Sequence, residues 1–260
     1  MNAIAAPLDI KLMNATALSL YVVCALVALG LAVAWLLQSP FFAIQRITVV
    51  GDVTHTNAVT LRANIASRLG GSFVTMDLAR ARAVFETVPW VRRAIVKREF
   101  PNRLKVELQE HEAVAYWGAE GESRLVNSHG EVFEANTGEV EKEGLPRLNG
   151  PQGQGAQVLM VYQGLEPLFA DMDVALDQLE LTGRGSWQAK LDTGAVLQLG
   201  RGSPEELLVR AQRFVNTLTQ VTGKYGRKPD ALESADLRHE DGYAIRLRGV
   251  TTTEVQQKQK

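Results

Sequence analysis

Few side chains in this sequence stand where they could carry out a reaction. Its four histidines are His55, His111, His129 and His239, and no two fall at metal-ligand spacing. The only cysteine, Cys24, lies inside an apolar run and can form no intramolecular disulfide. A nucleophilic serine would be announced by Ser-x-x-Lys, Lys-Thr-Gly or Gly-x-Ser-x-Gly, and none of these occurs. Glu110 and Glu112 flank His111 in the pattern of an acid–base group. Adjacent residues on a strand point to opposite faces, however, so His111 turns away from both and three solvated strand-end residues are expected. Gly200-Arg201-Gly202 ahead of a helix has part of a phosphate loop but lacks the third glycine and the Lys-Ser/Thr ending. A tight turn into a capped helix explains it. The residues predict no catalytic, cofactor-binding or metal-binding site and no small-molecule substrate. Function has to be sought in surfaces.

The element that delivers those surfaces is the run 17–37, which contains no Asp, Glu, Lys or Arg. As a helix at ~1.5 Å per residue it spans about 30 Å, the thickness of a bilayer's hydrocarbon core. Tyr21 and Trp35 stand near its ends, where amphipathic rings favour the headgroup zone. A buried helix of a soluble protein would show a polar side, and this one has none. A cleaved signal peptide competes, because Ala32-Val33-Ala34 fits a cleavage site and Lys11 an n-region. The run continues through Trp35, Leu36 and Leu37, longer than the usual ~7–15-residue signal core, so a membrane anchor is expected. Residues 1–16 would form a disordered tail. Lys11 favours placing that tail in the cytoplasm, with Asp9 offsetting it, and either reading sends the bulk of the chain across the membrane. Cys24, Ala28 and Ala32 recur every four residues, a small-residue stripe of the kind that packs against another membrane helix.

The rest of the 260 residues has room for one or two modest domains. A net charge of −1 argues against bulk nucleic-acid binding. The charge is uneven, with net +4 over residues 41–115 and net −5 over 116–260. That asymmetry fits two units with different neighbours, and equally chance variation over small counts; either way the exported part is held by hydrophobic cores without disulfides.

From Ile44 to Val50 β-branched residues read as a strand, closed by Gly51. Thr56 or Asn57 can cap a helix with Leu61, Ile65 and Leu69 on one face, and Gly70-Gly71 breaks it. A second helix can start at Asp77, with Leu78, Ala81, Phe85 and Val88 at helical spacing. Trp90–Phe100 and Leu104–Gln109 then read as strands joined at Pro101-Asn102. The order is strand, helix, helix, strand, strand. Beyond it the chain is strand-rich: 125–133 as a hairpin around 128–130, 179–181, 186–191 and 195–199. A helix over 157–172 is expected to break near Pro167, and Ser203 with Glu206 forms a capping box for a helix to about Val221. A last strand is expected from Ala235 to Arg248, and 251–260 as a disordered polar tail.

Coming directly after a single span, the first block resembles the POTRA domain of the FtsQ/DivIB family of bacterial cell-division proteins. The resemblance is carried by Ile47-Thr48-Val49-Val50-Gly51, by Val88-Pro89-Trp90-Val91 and by Phe100-Pro101-Asn102-Arg103-Leu104-Lys105-Val106-Glu107-Leu108-Gln109-Glu110. It continues through Val114-Ala115-Tyr116-Trp117 and Leu145-Pro146-Arg147-Leu148-Asn149-Gly150-Pro151 to Asp236-Leu237-Arg238 and Gly242, covering residues 15–250. Ala113 stands where the family usually has proline, and Asn127 where it commonly has Asp. The fold implied is α+β: a transmembrane helix (17–37), a POTRA domain of β-α-α-β-β order (41–115), then a mostly antiparallel β domain with helices (116–250).

In the last strand Tyr243, Ile245 and Leu247 alternate with Ala244, Arg246 and Arg248, one face apolar and the other small or basic. With only a polar tail after it, such a strand can form an exposed edge to which a partner adds a strand of its own. In the family this region receives the C-terminal part of FtsB, which associates with FtsL. The resemblance therefore implies partner-binding residues at Asp236, Leu237, Arg238, His239, Gly242, Tyr243, Ala244, Ile245, Arg246 and Leu247. His239 stands where enteric members have tyrosine, and Leu247 where they have tryptophan. The function implied is a non-enzymatic, single-pass inner-membrane scaffold at the division site. It would recruit FtsB, FtsL and the downstream septal peptidoglycan machinery. The alternative is a membrane-tethered periplasmic peptidoglycan-processing enzyme.

Overall fold

One helix, α1 (Leu8–Leu37), takes up the apolar run in the computed structural model of the protein, which describes residues 8–37, 43–56, 61, 65, 68–69, 72–140, 144–239 and 242–250. Leu12–Trp35 is the stretch of described residues long and apolar enough to cross a membrane, and it lies exposed on all sides. A helix without a polar side fits single-pass anchoring. It begins earlier than the expected span. Residues 8–16 contain neither Gly nor Pro, and the helix continues through them where a tail was expected. The rest of that tail (1–7), the cap Asn57 and the tail 251–260 lie outside the described residues.

The chain divides into two compact units, Met1–Glu110 and His111–Lys260, several residues before the expected boundary at 115. The first contains a three-stranded sheet of β1 (Arg46–Asp52), β2 (Val91–Glu99) and β3 (Arg103–Glu110) in the order β1-β3-β2. β1 runs parallel to β3, so the chain must cross over between them. Leu61 and Ile65, both helical, and α2 (Leu78–Phe85) lie within that crossover. Asp77 starts α2 by accepting the N–H groups of Ala79 (2.8 Å) and Arg80 (3.2 Å). The helix buries Ala81 and Phe85, and Phe85 meets Leu61, Ile65, Val88, Ala94, Val106 and Leu108. Gly51 closes β1 with φ +118°, and a Cβ there would collide with the Leu108 carbonyl, so only glycine fits.

Glu110 is not the solvated residue expected at the end of β3. Its side chain is 5% exposed. Its carboxylate accepts the N–H groups of Thr54 (3.0 Å), His55 (2.9 Å) and Thr56 (2.7 Å), fixing the loop after β1. Burial pushes its pKa up, but the hydrogen bonds from Thr56 and His55 outweigh that and hold it below the ordinary carboxylate range.

The second unit is built on a nine-stranded sheet, here ordered β12-β11-β10-β9-β8-β7-β4-β5-β6. Its strands are β4 (Ala113–Trp117), β5 (Arg124–Asn127), β6 (Val132–Glu134), β7 (Arg147–Asn149), β8 (Leu176–Leu181), β9 (Trp187–Leu191), β10 (Val196–Gly200), β11 (Leu232–Asp236) and β12 (Ala244–Leu247). Five of the eight pairings are antiparallel. The other three, β4·β7, β7·β8 and β10·β11, are parallel. Two of these are bridged by helices: α3 (Gly155–Ala170) joins β7 to β8, and α4 (Pro204–Lys224) joins β10 to β11. The helices contact each other and the sheet, burying Leu165, Phe169, Leu207 and Phe214 against Leu179 and Leu197. Pro167 does not interrupt α3 as expected. It stands in the helix's last turn, where it removes a single backbone bond while Leu165 and Phe169 hold the segment on the sheet. Ser203 and Glu206 form both arms of the expected capping box at the start of α4.

Candidate functional site: the open edge of the sheet

The last strand expected over Ala235–Arg248 is two strands. β11 ends at Asp236, residues after it leave the ladder, and the chain returns as β12 antiparallel to β11. Asp241-Gly242, a hairpin signal in the sequence, lies between them. β12 is the terminal strand of the sheet, and no strand among the described residues pairs with its outer side.

The backbone on that outer side follows from the hydrogen-bond alternation. Leu237 N–H donates to the Gln198 carbonyl at 2.9 Å, so Leu237 and Ala235 turn their backbone toward β10. Ser234 and Asp236 therefore turn theirs toward β12, opposite Arg246 and Ala244. Ile245, between those two, directs its N–H and C=O away from the sheet. Leu247 directs its N–H the same way, while its carbonyl accepts from Val250 N–H at 3.3 Å. Arg248 N–H turns back to the Ala231 carbonyl at 2.8 Å.

The side chains sort as the alternation implies. Tyr243, Ile245 and Leu247 pack on the core, with Tyr243 set edge-on to Phe214 (4.9 Å, 85°) and its hydroxyl 2.7 Å from Thr217 Oγ1. Ala244, Arg246 and Arg248 are exposed. Arg246 lies 3.9 Å from Glu233, an exposed pair contributing little. Leu237, at 1% exposure, and Leu247, at 5%, place their side chains in the core, so that at these positions only backbone can meet a partner. Gly242 has open space where a Cβ would stand.

Asp236 and Arg238 form a fork: Nε donates to Oδ1 at 2.8 Å and Nη2 to Oδ2 at 2.5 Å. The Arg238 guanidinium holds the Asp236 carboxyl down at about 2. An acid with a lowered pKa stabilises the fold above its ordinary range and loses that contribution as pH falls through the lowered value. In an NMR titration Asp236 is expected to titrate near 2, and in Arg238→Ala to return toward about 3.9. A value unchanged by that substitution would mean that the fork does not set it.

Beside Arg238 lies a basic surface that the sequence reading missed. Arg184, Arg201, Arg210 and Arg238 line one open depression, and Arg213, Arg238 and His239 line another together with Glu205 and Glu206. Arg210 is committed to the carbonyls of Leu199 and Arg201. Gly200, at φ +83°, lets Arg238 approach, since a Cβ would stand 2.9 Å from its Cγ. Nothing in the spacing announced this cluster, because four separate segments supply it. Cys24, Ala28 and Ala32 lie exposed along α1.

The histidines have other work. His55 stacks on Trp90 at 3.9 Å, and His111 stacks on Phe133 at 4.0 Å. Asn127, fully buried, accepts the N–H groups of His129 and Glu131 at 2.9 Å each while its amide contacts His111 Nδ1 and Glu131. Among the described residues no three His, Cys, Asp or Glu side chains gather as metal ligands would.

Two family models match the chain, the FtsQ-type POTRA domain over residues 42–111 and the C-terminal domain of cell division protein FtsQ/DivIB over 115–238. The cell division protein FtsQ of Thiomonas arsenitoxydans is 38% identical over 94% of this chain and 89% of its own. That of Burkholderia pseudomallei is also 38% identical, over 93% and 94%, and that of Bordetella pertussis is 35% identical over 92% of each. With the two family models matched in succession and relatives at 35–38% identity covered almost end to end, the chain belongs to the FtsQ family of cell division proteins, with a role in the divisome.

Proposed function

We propose that the chain is a non-enzymatic scaffold of the division apparatus, held in the inner membrane by α1 with its N-terminus in the cytoplasm and both folded units in the periplasm. Its task is to capture a partner by addition of a strand to β12. The observation that carries this is the outward-directed backbone of Ile245 and Leu247 at the end of the sheet. An incoming strand gains affinity from those groups and selectivity from the side chains around them. Arg246 on the strand and Arg248 just past it, with Arg238 two residues beyond Asp236, which pairs with Ala244, favour a partner carrying acidic residues. The family resemblance makes that partner FtsB, bound together with FtsL, and through them the septal peptidoglycan machinery.

The test is recovery of FtsB and FtsL with the full chain purified from cell membranes. Arg246→Glu is expected to weaken recovery by up to about fivefold at low salt, and by less as salt rises. Recovery that is insensitive to both would move the charged contact elsewhere.

A further inference from the structure

The end of the POTRA sheet where the chain arrives from α1 carries an aromatic surface with no role so far. β1 starts at Arg46 beside Arg103, where β3 starts, and Glu99 at the end of β2 pairs with Arg103. These three strand ends and the β2–β3 turn therefore lie together. The arriving chain is tied to that turn: Gln45 N–H donates to the Asn102 carbonyl at 3.0 Å, and Ile44 packs against the cluster of Met76 and Leu104. Only residues 38–45 separate this point from Leu37 at the end of α1. Fully extended, they reach at most about 28 Å. The protein's own chain keeps the turn within about 30 Å of the end of α1.

At this end Phe100 is 80% exposed and Val74 42% exposed. Phe73 meets Phe100 edge-on, with ring centroids 6.5 Å apart at 77°. Arg98 locks the two segments together, donating to the carbonyls of Phe73 (2.6 Å), Met76 (2.5 Å) and Val74 (3.4 Å). The exposed apolar groups are thus held in a fixed cluster, as at an interaction site. Arg46 and Arg103 are exposed beside them, with Glu99 as the acid at the same end.

We propose that this tip rests in the headgroup layer of the membrane that α1 crosses. Phe100, Phe73 and Val74 enter the interface, and Arg46 and Arg103 meet lipid phosphates. Aromatic groups beside arginines match the chemistry of an anionic bilayer surface. With the tip seated, β1 leads away from the membrane, and Val53, seven residues beyond Arg46, stands about 20 Å farther out. This goes beyond partner capture by β12 but rests on α1 being a membrane anchor.

The test uses the full chain carrying Cys24→Ser and a single fluorophore-labelled cysteine, either Phe100→Cys or Val53→Cys. Each is placed in nanodiscs of phosphatidylethanolamine and phosphatidylglycerol with nitroxide-bearing lipids. Both positions are solvent-facing, so neither substitution disturbs the core. Lipid nitroxides are expected to quench the label at 100 and to leave that at 53 at its quencher-free level. A chain that stays in the disc with no quenching at 100, or with equal quenching at both positions, overturns the seated tip and spares the anchor. A label at 100 that is shielded from water yet unquenched assigns the surface to a protein, which also overturns the proposal. A chain that leaves the disc overturns the anchor and the tip with it.

Discussion

Phe85→Ala is expected to destabilise the first unit by about 3–5 kcal/mol. Phe85 is fully buried, and its ring closes the cluster of Leu61, Ile65, Val88, Val91, Ala94, Val106 and Leu108 between helix and sheet. Truncation removes the apolar burial and leaves a cavity between α2 and the three-stranded sheet that the surrounding side chains cannot collapse to fill. Since domains of this kind are stable by only about 5–15 kcal/mol, and no disulfide is available, the loss is a large share of the total. Amide exchange along β2 and β3 reports this unit separately from the second. It is expected to accelerate strongly in the variant, and unchanged exchange would mean that α2 does not pack as described.

The α2 helix is legible in the sequence. Asp77 is a side chain that caps, and Leu78, Ala81 and Phe85 recur at helical spacing, so local signals and tertiary packing agree. The capping box at Ser203 worked for the same reason. The failures lie where a distant contact overrides the local pattern. Nothing around Glu110 announces that three backbone N–H groups of another loop will converge on it. Pro167 is a helix breaker by type, yet Leu165 and Phe169 carry the helix past it. At the sheet edge, the alternation of Tyr243, Ile245 and Leu247 correctly separated the core face from the exposed face. The strand expected over Ala235–Arg248 is nevertheless two, because Leu237 leaves the ladder with β12 to seat in the core. The basic depression was invisible to any linear reading, because Arg184, Arg201, Arg210 and Arg238 meet only when the sheet forms.

The second large effect is expected from Ile245→Pro, which should abolish capture of the partner strand. The Ile245 N–H points away from β11, so proline removes a donor that the folded chain does not use and blocks the side where a new strand would pair. The half-buried Ile245 side chain is lost too, and Ile245→Ala controls for that by losing the same packing while keeping the donor. Capture should survive in the alanine variant and vanish in the proline variant, with circular dichroism showing both folded. Ala244→Pro is a poorer probe, because Ala244 pairs with Asp236 inside the sheet and its loss disturbs the ladder itself.

Strand addition at β12 is tested most directly by residue-resolved amide exchange of the full chain, alone and with the C-terminal segment of FtsB. Alone, the amides of Ile245 and Leu247 should exchange quickly, while those of Ala244 and Arg246, bonded to β11, are slower. On addition of the segment, Ile245 and Leu247 should become protected and Ala244 and Arg246 should change little. If the segment binds while the Ile245 and Leu247 amides stay fast, β12 is not the edge that receives it.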